Sequence, residues 1–446
     1  MDAAVIGAGL AGAEAAWQLA ERGWRVQLHE MRPEQTTPAH RTGLAAEMVC
    51  SNSFKSDDPF SATGILKEEM RRLDSLILAN AQANRVPAGQ SLAVDRTTFA
   101  EAVTRKLRAH PRIHWVSGEV HAPDPALPTI LATGPLTSDS LCQWLSDRLE
   151  SDRLFFFDAI APIVEADSID TTLAFRASRY NKGGADFLNC PLNKEEYERF
   201  VDALLTAPRV ELNEVDTPYF EACLPIEVMA DRGRETLRHG PMKPVGLDDP
   251  RTGRWPHAAV QLRQDTLAGD HYNLVGFQTR LKWGAQEEVF RLIPGLEKAV
   301  FARLGSIHRN TYVQAPHVLE ATLAVKQHAR LWIAGQLSGV EGYLESAASG
   351  LAAALSVHRH LRGEAPRALP ETTMLGSLLH YLAHANPKTF CPTNAMLGLF
   401  PPLAPHALDI RALKRAGGIK AVKAAKGAAF RQRSEEALTS FLGGLP

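Results

Sequence analysis

Residues 3–16 read Ala3-Ala-Val-Ile-Gly7-Ala-Gly9-Leu-Ala-Gly12-Ala-Glu-Ala-Ala. The apolar run Ala3–Ile6 predicts a buried parallel strand. Gly7, Gly9 and Gly12 then follow the G-x-G-x-x-G spacing. The first glycine permits a tight turn, the second lets backbone approach a pyrophosphate, and the third lets the helix pack closely on the strand. A helix over 10–22 would aim the unpaired N–H groups of Leu10 and Ala11, and its positive dipole end, at the phosphates. Gly23 ends that helix. Residues 25–29 predict a second strand with Glu30 at its end, eighteen residues beyond Gly12, where a ribose-binding carboxylate is expected.

A second glycine-rich turn lies far along the chain, Leu331-Trp-Ile-Ala-Gly335-Gln336-Leu-Ser-Gly339-Val-Glu-Gly342-Tyr343. It again predicts strand, loop and helix, the helix covering 343–358. Its N–H groups suit the pyrimidine edge or ribityl chain of a flavin, stabilising charge on the reduced ring. Leu131-Ala-Thr-Gly134 adds a third strand-to-glycine turn. Three such turns fit an FAD domain better than an NAD domain. The expected fold is therefore α/β, with a doubly wound parallel sheet of the Rossmann-like, glutathione-reductase type.

At 446 residues the chain exceeds one ordinary domain. With 49 basic and 50 acidic residues, its net charge of −1 does not announce a nucleic-acid binder, so any such surface is local. No run approaches the roughly 18 apolar residues of a membrane span. The chain opens on a cofactor strand with no preceding signal sequence, so a cytoplasmic location is expected. The five cysteines are scattered without a C-x-x-C, which argues against a disulfide framework, a zinc site or a local redox dithiol.

The pattern divides into a cofactor domain (1–150 and 271–365), an inserted α+β domain (151–270) and a C-terminal helical extension (366–446) packed on the cofactor domain. Ile65, Leu66, Met70, Leu73, Leu76 and Ile77 recur at the spacing of one long amphipathic helix. Residues 155–164 read as a strand. Residues 258–263 and 272–278 read as strands leading back to the cofactor domain. Helices are expected over 375–383 and 410–431.

Cys50 lies in Cys50-Ser-Asn-Ser-Phe-Lys-Ser56, after the second strand, where the ligand crevice of a doubly wound fold opens. A thiol among Ser and Asn donors and Lys55 either has a lowered pKa or is a buried structural cysteine. Cys223 is flanked by Glu221 and Glu227, whose charge raises a thiol pKa unless basic groups compensate.

The Gly7–Gly12 turn, Glu30-Met-Arg32-Pro33, residues 50–56, Glu221-Ala-Cys223-Leu-Pro-Ile-Glu227, Arg234-Glu-Thr-Leu-Arg238, Gly240-Pro-Met-Lys243-Pro244, His308-Arg309-Asn310-Thr-Tyr312 and Gly335–Gly350 occur in that order. In this the chain closely resembles the folate- and FAD-dependent tRNA (uracil-5-)-methyltransferases, to about residue 400. The flavin subunit of the wobble-uridine tRNA-modifying complex shares the first and last of these segments but is much longer.

The resemblance implies methylation of C5 of the T-loop uridine (position 54) of tRNA. The carbon would come from 5,10-methylenetetrahydrofolate, and the electrons from NADH or NADPH through FAD. It assigns Cys223 as the nucleophile that adds to uracil C6, and Cys50 to removal of the C5 proton or handling of the flavin-bound carbon. His308, Arg309 and Asn310 are placed at the folate, where a ring can stack on the pterin and an amide can pair with its edge; a plain connecting loop is the alternative. Arg232, Arg234, Arg238 and Lys243, near Cys223 in sequence, are expected to meet RNA phosphates. The cofactor set is Gly7, Gly9, Leu10, Ala11, Gly12, Glu30, Arg32, Gly134, Gly335, Gln336, Gly342 and Tyr343. Two other readings stay open: an NAD(P)H-dependent flavin oxidoreductase of a small molecule, and a flavin subunit of a wobble-uridine complex. Monomer and homodimer are not distinguished.

Overall fold

The structure is a computed structural model that describes residues 1–149, 154–182, 184–211, 224–404 and 407–443, without the side chains of 154–158 and 307–309. Its first layer is a five-stranded sheet in the spatial order Leu331–Ile333, Thr129–Leu131, Ala3–Ile6, Val26–Glu30, Ile113–Ser117. Every pairing in it is parallel. Ala3–Ile6 is buried at all four positions, as a central strand covered on both faces must be. The fold is thus the doubly wound α/β type.

Helices Leu10–Glu21 and Tyr343–Leu361 pack together on this sheet because small residues line their contact. A methyl group placed on Gly350 would lie 2.1 Å from the Ala11 carbonyl oxygen, and where the first helix meets the turn before it one on Gly12 would lie 1.8 Å from that of Gly7. Gly7 itself has φ +96°, a conformation that side-chain-bearing residues resist.

A second, six-stranded antiparallel sheet runs Phe175–Ala177, Phe187–Leu192, Ala258–Gln264, His271–Leu274, Ile163–Glu165, Phe301–Arg303. Helix Lys194–Thr206 packs on it, begun by a capping box between Asn193 and Glu196. A separate hydrophobic core forms here, around Tyr197, Phe200, Phe277 and Phe290. Residues 271–299, expected on the cofactor side of the boundary, contribute to this core. The His271–Leu274 strand pairs in mid-sheet rather than leading back to the parallel one.

Two further expectations are corrected. The 155–164 segment is two strands, Leu154–Ile160 and Ile163–Glu165, in different sheets. Pro162 lies at the break, and Leu154–Ile160 pairs with Ser306–Tyr312 as a ribbon joining the two layers. The expected long helix over 65–77 is likewise two helices, Ala62–Arg72 and Leu76–Ala83. Asp74 turns the chain with φ +54° and Ser75 caps the second helix. Buried Glu14 fixes the break by accepting from the Ile77 and Leu76 N–H groups and the Ser75 hydroxyl.

In the C-terminal region, helices Met374–His384 and Ile410–Leu442 pack against Ala62–Arg72. The longer one is broken at Gly417 and Gly418, a pair with little helix propensity. Glu69 ties all three together, accepting from the Met374 N–H (2.5 Å), the Leu375 N–H (2.8 Å) and the Ser434 hydroxyl (2.5 Å). Among the described residues no helix is long and apolar enough to cross a membrane, and no cluster of potential metal ligands occurs.

Candidate active site

A cleft partly open to solvent lies at the carboxyl ends of the parallel strands, where doubly wound folds bind ligands. Gly7, Gly9, Leu10, Ala11, Glu30, Arg32, Gly134, Gly335, Gln336 and Tyr343 all line it. Segments that sequence reasoning passed over, Gly118–Val120 and Pro135–Ser138 with Leu141, complete its wall. Gly12 and Gly342 lie behind the lining: Gly12 packs under Gly7, and Gly342 begins the Tyr343–Leu361 helix with φ +114°.

At one end of the cleft the Leu10–Glu21 helix starts without a side-chain cap. The N–H groups of Leu10, Ala11 and Gly12 have no acceptor among the described residues. Three unpaired donors at a helix start suit a pyrophosphate.

Glu30 is more constrained than its expected ribose role requires. Its Oε1 accepts from the Arg32 N–H (3.0 Å) and Nε (2.9 Å); its Oε2 accepts from the Ala8 N–H (2.8 Å) and Arg32 Nη2 (3.1 Å). Four donors use the acceptor capacity of a carboxylate. Burial pushes this carboxyl up, but Arg32 and the backbone donors outweigh burial and hold it below the ordinary glutamate range. Arg32 also reaches Glu47 at 3.0 Å, so the Arg–Glu pair closes this side of the cleft.

At the other end, the Gly335–Tyr343 turn meets the segment around Cys50. The Cys50 N–H donates to the Tyr343 hydroxyl at 2.6 Å, and the Cys50 thiol lies 3.9 Å from the Ala159 carbonyl oxygen. Cys50 is half-buried, and its neighbour Val49 lines the cleft with Tyr343. Lys55 pairs with fully buried Glu345 at 2.8 Å, clamping the 50–56 segment to the start of the Tyr343–Leu361 helix. Asn52 locks the other side by donating to the Val94 and Gln264 carbonyls, both at 3.0 Å.

Arg96, Asp265, Arg263 and Arg303 also gather around Cys50, and no local sequence signal marks them. Arg96 holds Asp265 at 2.9 Å, and Arg303 donates to the Cys50 carbonyl at 3.3 Å. The remaining cysteines behave differently. Cys142 and Cys190 are buried, burial pushing the Cys190 thiol up to about 12, and Cys391 is exposed.

Cys223, with Glu221, lies outside the described residues. His308, Arg309 and Asn310 sit in the ribbon strand Ser306–Tyr312, not in a loop. Of these three, the side chain is described only for Asn310, which is buried and whose Nδ2 has no acceptor among the described residues. Of the expected RNA contacts, Arg234 pairs with Asp202 and Arg238 with Glu235, while Arg232 and Lys243 are exposed. This patch therefore carries less net positive charge than its arginines suggest.

A family profile described as glucose inhibited division protein A matches residues 2–365. An Anoxybacillus flavithermus protein named methylenetetrahydrofolate–tRNA-(uracil-5-)-methyltransferase TrmFO is 55% identical over 404 residues, 90% of this chain and 93% of that protein. A Koribacter versatilis protein of the same name is 56% identical over 402 residues, 90% of each chain. Among solved structures, GidA from Aquifex aeolicus matches with a TM-score of 0.67 over 98% of this chain and 78% of that one. At 15% identity that likeness concerns the fold.

Proposed function

The chain belongs to the methylenetetrahydrofolate–tRNA-(uracil-5-)-methyltransferase family, and on that premise we propose that it methylates C5 of the T-loop uridine (position 54) of tRNA. Methylenetetrahydrofolate is the carbon donor in this reading, and NADH or NADPH the reductant of a bound FAD. The observation that carries it is the meeting of the 50–56 segment with the Gly335–Tyr343 turn at one end of the cleft that the Gly7–Gly12 turn lines, through the Cys50 N–H and the Tyr343 hydroxyl.

The residues present fit an FAD. The unpaired N–H groups of the Leu10–Glu21 helix would hold the pyrophosphate, Glu30 and Arg32 would face the adenosine half, and Gly134, Gly335, Gln336 and Tyr343 the flavin half. Bound there, FAD supplies the electrons that turn a methylene into a methyl group. The protein's own work is at the uracil. Addition of the Cys223 thiolate to C6 makes C5 nucleophilic, and Cys50 takes the C5 proton or handles the flavin-bound carbon. Asn310, whose Nδ2 has no acceptor among the described residues, supports a folate subsite on the ribbon, where His308 and Arg309 take part. Arg232, Arg234, Arg238 and Lys243 contact the tRNA T-arm. The target base must leave its stack to reach this cleft, at a cost of a few kcal/mol.

The test is incubation of purified protein with NADPH, carbon-labelled methylenetetrahydrofolate and tRNA lacking its T-loop methyl group. Label in 5-methyluridine that disappears without folate supports the reading. Flavin turnover with no label in RNA points instead to a small-molecule oxidoreductase or to a missing partner subunit.

A further inference from the structure

Three buried donors without acceptors stand in one cross-strand row of the six-stranded sheet. Arg263 lies opposite Asn273, Asn273 opposite Ile163, and Ile163 opposite Arg303. Residues opposite one another across strands share a face of the pleat. Arg263 Nε, Asn273 Nδ2 and Arg303 Nε have no hydrogen-bond partner among the described residues. Arg263 is 9% exposed and Asn273 2%. Buried polar groups in native proteins are paired with few exceptions, so a row of orphans of one polarity points to a missing acceptor.

The charge balance says the same. Asp265 is the acid at this face, and Arg96 already engages its Oδ1 through Nε at 3.1 Å and Nη2 at 2.9 Å. Cys50 and Tyr343 are the other titratable groups that face the two arginines. Burial pushes Arg263 and Arg303 down to about 10, which leaves both charged at neutral pH. Among the described residues, the two guanidinium charges beside Cys50 thus share one carboxylate, Asp265, with Arg96 and have no ion pair of their own.

We propose that Arg263, Asn273 and Arg303 form a subsite for a negatively charged acyl oxygen of a substrate. The uracil assignment rests on the methyl-transfer reading. When a thiolate adds to uracil, the S–C6 bond forms, the C5–C6 π pair moves into C4–C5, and the C4–O4 π pair moves onto O4. The C5 hydrogen stays in place during this step. O4 then carries a full charge in a buried site, where preformed donors stabilise an oxyanion most effectively. A carboxylate of the folate glutamate presents the same chemistry.

The experiment uses the flavin-loaded, full-length protein and its Arg263→Met and Arg263→Lys variants, with Arg303→Met as the second site should the first not fold. One arm does not depend on methyl transfer. The rates at which iodoacetate and iodoacetamide alkylate Cys50 are compared by mass spectrometry of its peptide. The wild type should favour the anionic reagent by at least about tenfold over a small-molecule thiol. Arg263→Met should lose this preference and Arg263→Lys keep it. Equal preference in wild type and Arg263→Met overturns the subsite.

The other arm measures covalent trapping of T-arm RNA containing 5-fluorouridine, and affinity for 5-formyltetrahydrofolate. Trapping lowered about a hundredfold in Arg263→Met, with folate affinity intact, assigns the subsite to uracil O4; the converse assigns it to the folate carboxylate. A wild type that traps no RNA defeats the methyl-transfer reading, and the alkylation arm still decides the subsite.

Discussion

The two ends of the candidate active site present unpaired hydrogen-bond donors by opposite means. Where the Leu10–Glu21 helix begins, the donors are backbone N–H groups, left unpaired because a helix has no earlier turn to accept them. At the six-stranded sheet the donors are the side chains of Arg263, Asn273 and Arg303. The first arrangement needs glycines at fixed spacing within one turn. The second needs strand register between segments as far apart as Ile163 and Arg303. Backbone sites are therefore written locally in a sequence, and side-chain sites of this kind are assembled by the fold.

The sharpest way to break the backbone end is Gly12→Ala. Its added methyl group would lie 1.8 Å from the Gly7 carbonyl oxygen. Backbone cannot yield there without unseating both helix and turn, so we expect a loss of 4 kcal/mol or more, by the roughly 4–5 kcal/mol that marks severe core lesions. Thermal unfolding and flavin content should fall together; a Gly12→Ala protein that keeps its melting temperature would refute the packing argument.

Next in size is Arg32→Met, which leaves buried Glu30 without its guanidinium. Breaking a buried pair typically costs about 3–5 kcal/mol. The double variant with Glu30→Gln should recover most of that stability in chemical denaturation. No recovery would mean that the Arg32 stem, rather than its charge, matters.

Away from both ends, Glu69 supplies a control. Burial pushes its carboxyl up to about 7, against its hydrogen bonds from Ser434, Leu375 and Met374. In the unfolded chain it titrates at the ordinary value of 4.5. Folding thus favours the protonated form. Stability should fall as pH rises from the ordinary glutamate range to about 7 and level off beyond it, by roughly 3 kcal/mol at 1.36 kcal/mol per pH unit. Glu69→Gln should flatten that slope in denaturation curves taken across the range.

The smallest effect concerns RNA. Lys243→Glu should weaken tRNA binding about uniformly. It should also reduce the slope of log affinity against log salt by about one, the share of a single neutralised phosphate. An unchanged slope would remove Lys243 from the interface.

Much of this was legible in the sequence, for physical reasons that vary by element. The parallel sheet and its turns followed from Gly7, Gly9 and Gly12, because a close backbone approach leaves few residue choices. The break at Asp74 was not legible. The apolar spacing runs through it undisturbed, and what decides it is Glu14, sixty residues earlier, accepting from the next helix. Pro162 did mark a break, but the 155–164 run was apolar enough to hide it. Glu30 was found by its distance from Gly12, whereas its saturation by Arg32 depends on a side-chain geometry that spacing does not encode. No local signal marks Arg263 and Arg303, which come together only through the pairing of their strands with the strands between them.

The cofactor sheet also carries a consequence for its own synthesis. Its Leu331–Ile333 edge strand pairs with Thr129–Leu131, about two hundred residues earlier. On a ribosome adding roughly 5–20 residues per second, the nascent sheet waits on the order of ten to forty seconds for its last strand. During that wait the edge at Thr129–Leu131 is an open row of hydrogen-bonding groups. The intervening chain, with its own core around Tyr197 and Phe277, emerges complete before the sheet can close. A chaperone that shields exposed strand edges should therefore be needed most by nascent chains stalled between residues 131 and 331.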